Sequence, residues 1–123
     1  MPHHISYENH IVKVVFDGRV STEELLELDK EIFANYEASD CIGHLYDYRN
    51  VEGVSFSETD MKRISLLDKN ESFVIGPLKI AIIVTDEKIA QYSRLYVDGL
   101  TGSEWQAALF DTEASALGFI TNS

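Results

Sequence analysis

Apolar and polar positions along this chain follow two periods, and the period changes at regular intervals. Residues 11–16 include Ile11, Val12, Val14, Val15 and Phe16, the near-continuous β-branched run of a strand buried on both faces. Asp17 and Gly18 read as the turn that closes it. Residues 4–7 alternate over a shorter run, and Glu8 and Asn9 would fold them back as an antiparallel edge strand. Ser21 and Glu24 have the spacing of a capping box. Leu25, Leu28, Ile32 and Tyr36 follow at helical spacing, with Leu26 and Phe33 widening the stripe, so a helix is expected over 22–37. Residues 41–48 give the next strand, and Val51, Glu52 and Gly53 read as loop. Ser57 and Asp60 cap a second helix, with Phe56 and Met61 at the two staple positions. Pro77 precedes 78–84, the most strand-like run of all. Asp86 caps a third helix carrying Ile89, Tyr92, Leu95 and Tyr96. Residues 99–102 break the chain, 105–110 form a last strand, and Asp111 caps a short helix to about Ile120. The order β-β-α-β-α-β-α-β-α predicts an α/β domain, with a mostly parallel sheet of about five strands flanked by about four helices.

Composition adds limits. The chain has 123 residues, 45% of them hydrophobic and 25% charged, which suits one soluble domain over 1–123 without repeats or linkers. Ten Lys and Arg against 21 Asp and Glu leave a net charge of -11. That argues against nucleic acid or an anionic membrane as partner, because binding phosphates needs clustered cations. The single cysteine, Cys41, excludes an internal disulfide and a cysteine zinc site. No signal peptide or membrane-length apolar run is legible, so a cytoplasmic setting is expected.

The segment running from Leu45 through Tyr46, Asp47, Tyr48, Arg49, Asn50, Val51 and Glu52 to Gly53 resembles the SpoIIAA-like proteins. So do Leu78 to Asp86 and the ending that runs from Leu109, Phe110 and Asp111 into Leu117, Gly118 and Phe119. The resemblance implies a STAS fold, the sulfate-transporter and anti-sigma-factor-antagonist domain, sometimes grouped with lipid-binding Sec14 domains, and a regulatory binding role. Anti-sigma-factor antagonists place a phosphorylatable Ser two positions after a strand-end Asp, followed by Gly. With that Asp matched to Asp47, Arg49 stands in the Ser position and Asn50 in that of the Gly. A Ser-phosphorylation switch is therefore not carried over.

Candidate chemistry is sparse. His3 and His4 point to opposite faces of an extended segment, and His10 and His44 sit apart, so neither a histidine metal site nor a cofactor is expected. Cys41 reads as a small buried hydrophobe. Asp17, Asp47 and Asp86 each fall at a predicted strand end, where open α/β sheets bind ligands. There they would converge on Mg²⁺ or serve acid–base work, although Asp also closes strands and caps helices for local reasons. The acidic residues between 23 and 40 read as a solvated helix face, or as a dock for a basic partner. Tyr46, Tyr48, Tyr92 and Tyr96, with Phe56 and Phe73, read as core, with a pocket for an apolar ligand as the competing view. Arg49 beside the first amides of the helix capped by Ser57 would make an anion site, while the plainer reading pairs it with Asp47, Glu52 or Glu58. No nucleophile–base pair is legible, so the chain reads as non-enzymatic. The expectation is a binding or regulatory module acting through protein contact near Asp47, Tyr48, Arg49, Asn50, Ser55 and Ser57. The alternative is a carrier of a lipid or other apolar small molecule, and a homodimer stays open.

Overall fold

The computed structural model describes residues 3–37 and 40–122. Strands β1 (His3–Glu8) and β2 (Ile11–Val20) form a hairpin in which Glu8 pairs with Ile11. Its two-residue loop, Asn9 and His10, has φ of 55° and 66°, the double left-handed conformation that matches the twist of flanking strands. Helix α1 (Thr22–Asn35), β3 (Gly43–Val54), α2 (Glu58–Ile75), β4 (Leu78–Ile83), α3 (Glu87–Gly99), β5 (Trp105–Phe110) and α4 (Glu113–Thr121) follow. The sheet order is β1-β2-β3-β4-β5, with β1 antiparallel and the other pairs parallel.

That sequential order has a consequence for the layers. Connections between parallel strands are right-handed, so a strand order that steps in one direction sends every crossover helix to the same face. One core accordingly gathers Val12, Val14, Phe16, Ile80 and Ile82 of the sheet with Leu28, Ile64 and Ile89 of α1, α2 and α3. The other face carries a smaller core in which Ala116 and Ile120 of α4 meet Ile11, Leu45, Ala81 and Ile83. The central strands are buried on both sides, which is why they read as continuous apolar runs.

Several boundaries differ from the sequence expectation. Asp17 and Gly18 lie inside β2, and Val51, Glu52 and Gly53 lie inside β3. β4 stops pairing at Ile83 opposite Asp47, while β2 and β3 run on as a two-stranded ribbon to Val20 and Val54. Two register shifts, at Val15/Asp17 and Gly18/Arg19, bend the ribbon, and Gly18 takes φ 65° there. A bulge tolerates the turn-forming residues that made this stretch look like a loop. At α1, Ser21 Oγ accepts from the Glu24 N–H at 3.2 Å, but the Glu24 carboxylate meets His3 Nδ1 at 2.8 Å, so the capping box is half made. The cap of α4 is Thr112, whose Oγ1 accepts from the Ser115 N–H, one residue beyond Asp111.

Helix α4 lies close against the sheet. A Cβ on Gly43 would stand 2.5 Å from Ile120 Cγ2 and 2.8 Å from the Lys79 carbonyl oxygen. The carbonyl is backbone and cannot step aside. Gly43→Ala is therefore expected to lower stability by about 1–3 kcal/mol through overpacking, read by denaturant unfolding. An unchanged midpoint would show that α4 yields more easily than this contact implies.

Candidate functional site

The period of a strand decides what the Asp47–Ser57 stretch can do. Alternate side chains of β3 leave on opposite faces, so Tyr46 and Tyr48 join the core under the helices while Leu45 packs under α4. Asp47 takes the α4 side too. It is 4% exposed, and Arg49 grips it with Nε and Nη2 donating at 3.0 and 2.7 Å and with its backbone N–H at 3.0 Å. Burial alone would push the Asp47 carboxyl up, but the hydrogen bonds and charge of Arg49 outweigh it and hold the group below the usual carboxylate range. Arg49 Nη2 also stands 3.5 Å from Glu113 of α4, whose Oε1 receives Lys13 Nζ at 2.8 Å. Arg49 therefore ties β3 to α4.

The amides of Ser57 and Asp60 at the start of α2 are occupied as well. Ser57 and Asp60 close a full capping box, and the Thr22 hydroxyl donates to Asp60 Oδ2 at 3.2 Å. From Arg49 the strand runs on to Val54, five residues or roughly 16 Å of extended chain. Arg49 pairs with Asp47, as the plainer reading had it, rather than standing over the end of α2. Asn50, Ser55 and Ser57 are exposed, whereas Tyr48 is buried. The three strand-end aspartates do not converge: Asp17 is exposed in the ribbon, Asp47 is held by Arg49, and Asp86 caps α3 by accepting from the Ile89 N–H at 3.0 Å. Burial and then Asp40 push the Cys41 thiol up, the reverse of an activated nucleophile.

A different constellation lies between the helices and the sheet. Asp29 of α1 and Asp68 and Glu71 of α2 bring carboxylate oxygens within 4.8 Å of one another, the one acidic, histidine or cysteine group of three so placed among the described residues. Asp68 is 4% exposed, and Tyr96 donates its hydroxyl to Asp68 Oδ2 at 2.5 Å. Beneath the carboxylates is a chamber of about 40 Å³ lined by Asp29, Tyr46, Tyr48, Asp68, Ser93 and Tyr96 among others. Three of the six aromatic residues weighed for a pocket thus do line one. Phe56 and Tyr92 instead pack edge to face at 5.4 Å, and Phe73 is 56% exposed. The chamber takes water-sized occupants, far short of the roughly 300–1,000 Å³ of ordinary ligand pockets. The larger groove beside it, between α1 and α2, is lined by Leu26, Phe33 and Leu67 together with the charged Asp29, Lys30 and Glu71.

Charge in this chamber is costly. Burial first, then the neighbouring Asp68 by charge and hydrogen bond, raises the Asp29 carboxyl well above its usual range. Burial raises Asp68 despite hydrogen bonds from Asp29 and Tyr96, and burial with Asp68 raises Glu71. Burial also keeps Tyr46, Tyr48 and Tyr96 neutral by raising each hydroxyl. His44, with Nδ1 3.2 Å from the Tyr46 hydroxyl, is pushed down to about 4 by burial and stays neutral. The signal for this site was present in the sequence. Asp29 lies within the buried stripe of Leu25, Leu28 and Ile32, and Asp68 within that of Met61 and Ile64. Each is a carboxylate where the helical period calls for an apolar side chain.

Three tests follow from this geometry. Asp47 has a lowered folded pKa, so its contribution is present above the ordinary carboxylate range and lost as pH falls through the folded value. Arg49→Ala should remove that contribution, costing about 1 kcal/mol near neutral pH, since partly solvated Arg49 is screened. Equal stability of wild type and variant at neutral pH would refute the tie. The carboxyl cluster has the opposite sign, its stabilisation being full below the ordinary range and lost as pH rises through the raised values. In buffer with a chelator, Asp29→Asn should melt above wild type at about pH 8, by on the order of 1–3 kcal/mol, and match it near pH 4. His44 adds a loss of stability as pH falls from 6.5 toward about 4, because the unfolded imidazole charges first. His44→Gln should flatten that limb of the thermal melts.

No family model and no curated protein matches this chain. Solved structures do. An uncharacterized protein of the DUF3478 family from Shewanella loihica PV-4, described as having a SpoIIAA-like fold, superposes with a TM-score of 0.58 at 16% identity, over 96% of this chain and 91% of that one. The anti-sigma factor antagonist SpoIIAA in its unphosphorylated form superposes with a TM-score of 0.60 at 10% identity, over 98% and 99%. At such identities the likeness concerns architecture. The chain has a SpoIIAA-like fold, the mixed five-stranded sheet with four helices that its sequence foretells.

Proposed function

We propose that this chain is a non-enzymatic binding module that regulates another protein by contact, with the outer side of α2 as its docking face. One observation carries the reading: α2 is amphipathic in reverse. It buries Ser65, Asp68 and Ser72 beside Met61 and Ile64. It exposes Leu66, Leu67, Phe73 and Val74 at 58, 51, 56 and 88%. Leu66 and Phe73, like Leu67 and Val74, are seven residues apart, so the four form one stripe over two turns. An apolar stripe left in water on a chain of net charge -11 marks an interaction surface, because isolated folding gains nothing from it.

The likeness to a protein named an anti-sigma factor antagonist supports a regulatory role. Ser55 and Ser57, exposed where the β2–β3 ribbon leads into α2, and Arg49 and Asn50, exposed farther back on β3, are proposed as further contacts, with Asp47 holding Arg49 and with Tyr48 buried beside them in the strand. The excess of carboxylates favours a partner with a basic rim around an apolar centre. The setting we propose is cytoplasmic. No helix among the described residues is long and apolar enough to cross a membrane.

The test is Leu67→Asp combined with Val74→Asp. Both side chains face water, so the melting point should hold within about 0.5 kcal/mol of stability. Affinity capture from the source cell's lysate, quantified against wild type, should lose its specific protein by about 30-fold or more, as removal of a central anchor does. Identical captured sets on the folded variant and wild type would overturn the proposal.

A further inference from the structure

The three carboxylates between α1 and α2 leave their charges unmatched. Among the described residues, Asp68 Oδ1 and Glu71 Oε2 are buried and have no hydrogen-bond partner. Asp68 is 4% exposed and lines the chamber directly. Tyr48, which belongs to no acidic cluster, is 9% exposed and lines the same chamber, and its hydroxyl has no hydrogen-bond partner among the described residues. Buried polar atoms are almost always partnered, so an orphaned Asp68 oxygen and an unpaired Tyr48 hydroxyl on one small cavity, with the orphaned Glu71 oxygen beside it, point to an occupant. The occupant must be positive, because Asp29 and Asp68 line the chamber, Glu71 brings a carboxylate oxygen within 4.8 Å of theirs, and no lysine or arginine lines the chamber. It must also be small, because the chamber measures about 40 Å³.

We infer that Asp29, Asp68 and Glu71 bind a hard divalent cation of the Mg²⁺, Mn²⁺ or Ca²⁺ class. The donors are all carboxylate oxygens, without imidazole or thiolate, which selects hard ions over zinc or copper. Oxygens within 4.8 Å of one another can share one ion, since opposed ligands of Ca²⁺ lie roughly 4.6–5.2 Å apart. The remaining space holds bound waters, which Tyr48 is placed to meet. Tyr96, donating to Asp68 Oδ2, acts as the outer hydrogen bond that orients this ligand. Asp29 comes from α1 and the other two from α2, so the ion ties together two helices whose facing carboxylates otherwise repel. This inference is independent of the docking face.

The experiment uses the purified chain stripped with a chelator, at about pH 7.5, with Mn²⁺ as the spectroscopic probe. Wild type should take up one Mn²⁺ per chain by electron paramagnetic resonance, be displaced by Mg²⁺ or Ca²⁺, and melt higher with either. Asp68→Asn should abolish the uptake. Glu71→Gln, at a half-buried position where folding is safe, should weaken it by about tenfold or more. Circular dichroism confirms the fold of each. Failure of folded wild type to bind any of the three ions at about 10 mM would overturn the inference, leaving a shared proton as the occupant. Equal Mn²⁺ uptake by wild type and Glu71→Gln would overturn it too, assigning the ion to scattered surface carboxylates.

Discussion

A sheet whose strands are laid down in sequential order, joined by crossovers of one hand, cannot distribute its helices evenly. Everything particular to this molecule descends from that constraint. Three helices share one face and compete for its width, while α4 has the other face to itself. Crowding forces close approach: Gly99 of α3 meets Ser65 of α2 so tightly that no Cβ would fit, and Ser72 Oγ accepts from the Glu104 N–H at 3.0 Å. Small polar residues on the inner side of α2 are the solution to that crowding. Its larger apolar residues are consequently turned outward.

The same crowding explains where acid is buried. A long apolar side chain at position 68 would fill the chamber between Tyr46, Tyr48 and Tyr96, whereas a short carboxylate leaves it open. Asp47, by contrast, is buried with its own cation, held by three donors from one residue. The two faces thus treat a buried carboxylate in opposite ways. On the α4 side it is neutralised within the chain and serves as structure. On the three-helix side Asp68 has no lysine or arginine among its neighbours in the chamber, and two further carboxylates stand beside it.

The element order, the parallel sheet and the antiparallel first strand were legible because each rests on local signals: β-branched runs, capping pairs, and period. The ribbon was hidden by Asp17, Gly18 and Gly53, which read as turn formers until a bulged partner strand is supplied. The candidate contacts around Asp47 lie close together along the chain, and the pleat sends neighbours to opposite faces. Asp29 is hidden in the sequence for a different reason. It sits among Glu23, Glu24, Glu27 and Glu31, and an acidic run looks like a solvated surface unless each member is assigned its angle around the helix. Phe73 misleads in the same way, since large apolar residues are read as core by default.

The lone helix on the second face has a bearing on how the chain is made. Leu45, Ala81 and Ile83 form an apolar floor that α4 covers with Ala116 and Ile120, Leu117 and Phe119 packing beside them. On the ribosome β3, β4 and β5 emerge before α4, at about 5–20 residues per second, so a nascent sheet can pair while its rear floor is still bare. During that interval the floor is adhesive to any other unfinished chain. Lys79 then secures the late arrival: its ammonium donates to the Phe119 carbonyl at 3.1 Å and to that of Asn122, and lies over the Phe119 ring. The helix that emerges after the sheet is thus the one that ends the hazard, and a lysine on the sheet is placed to receive it.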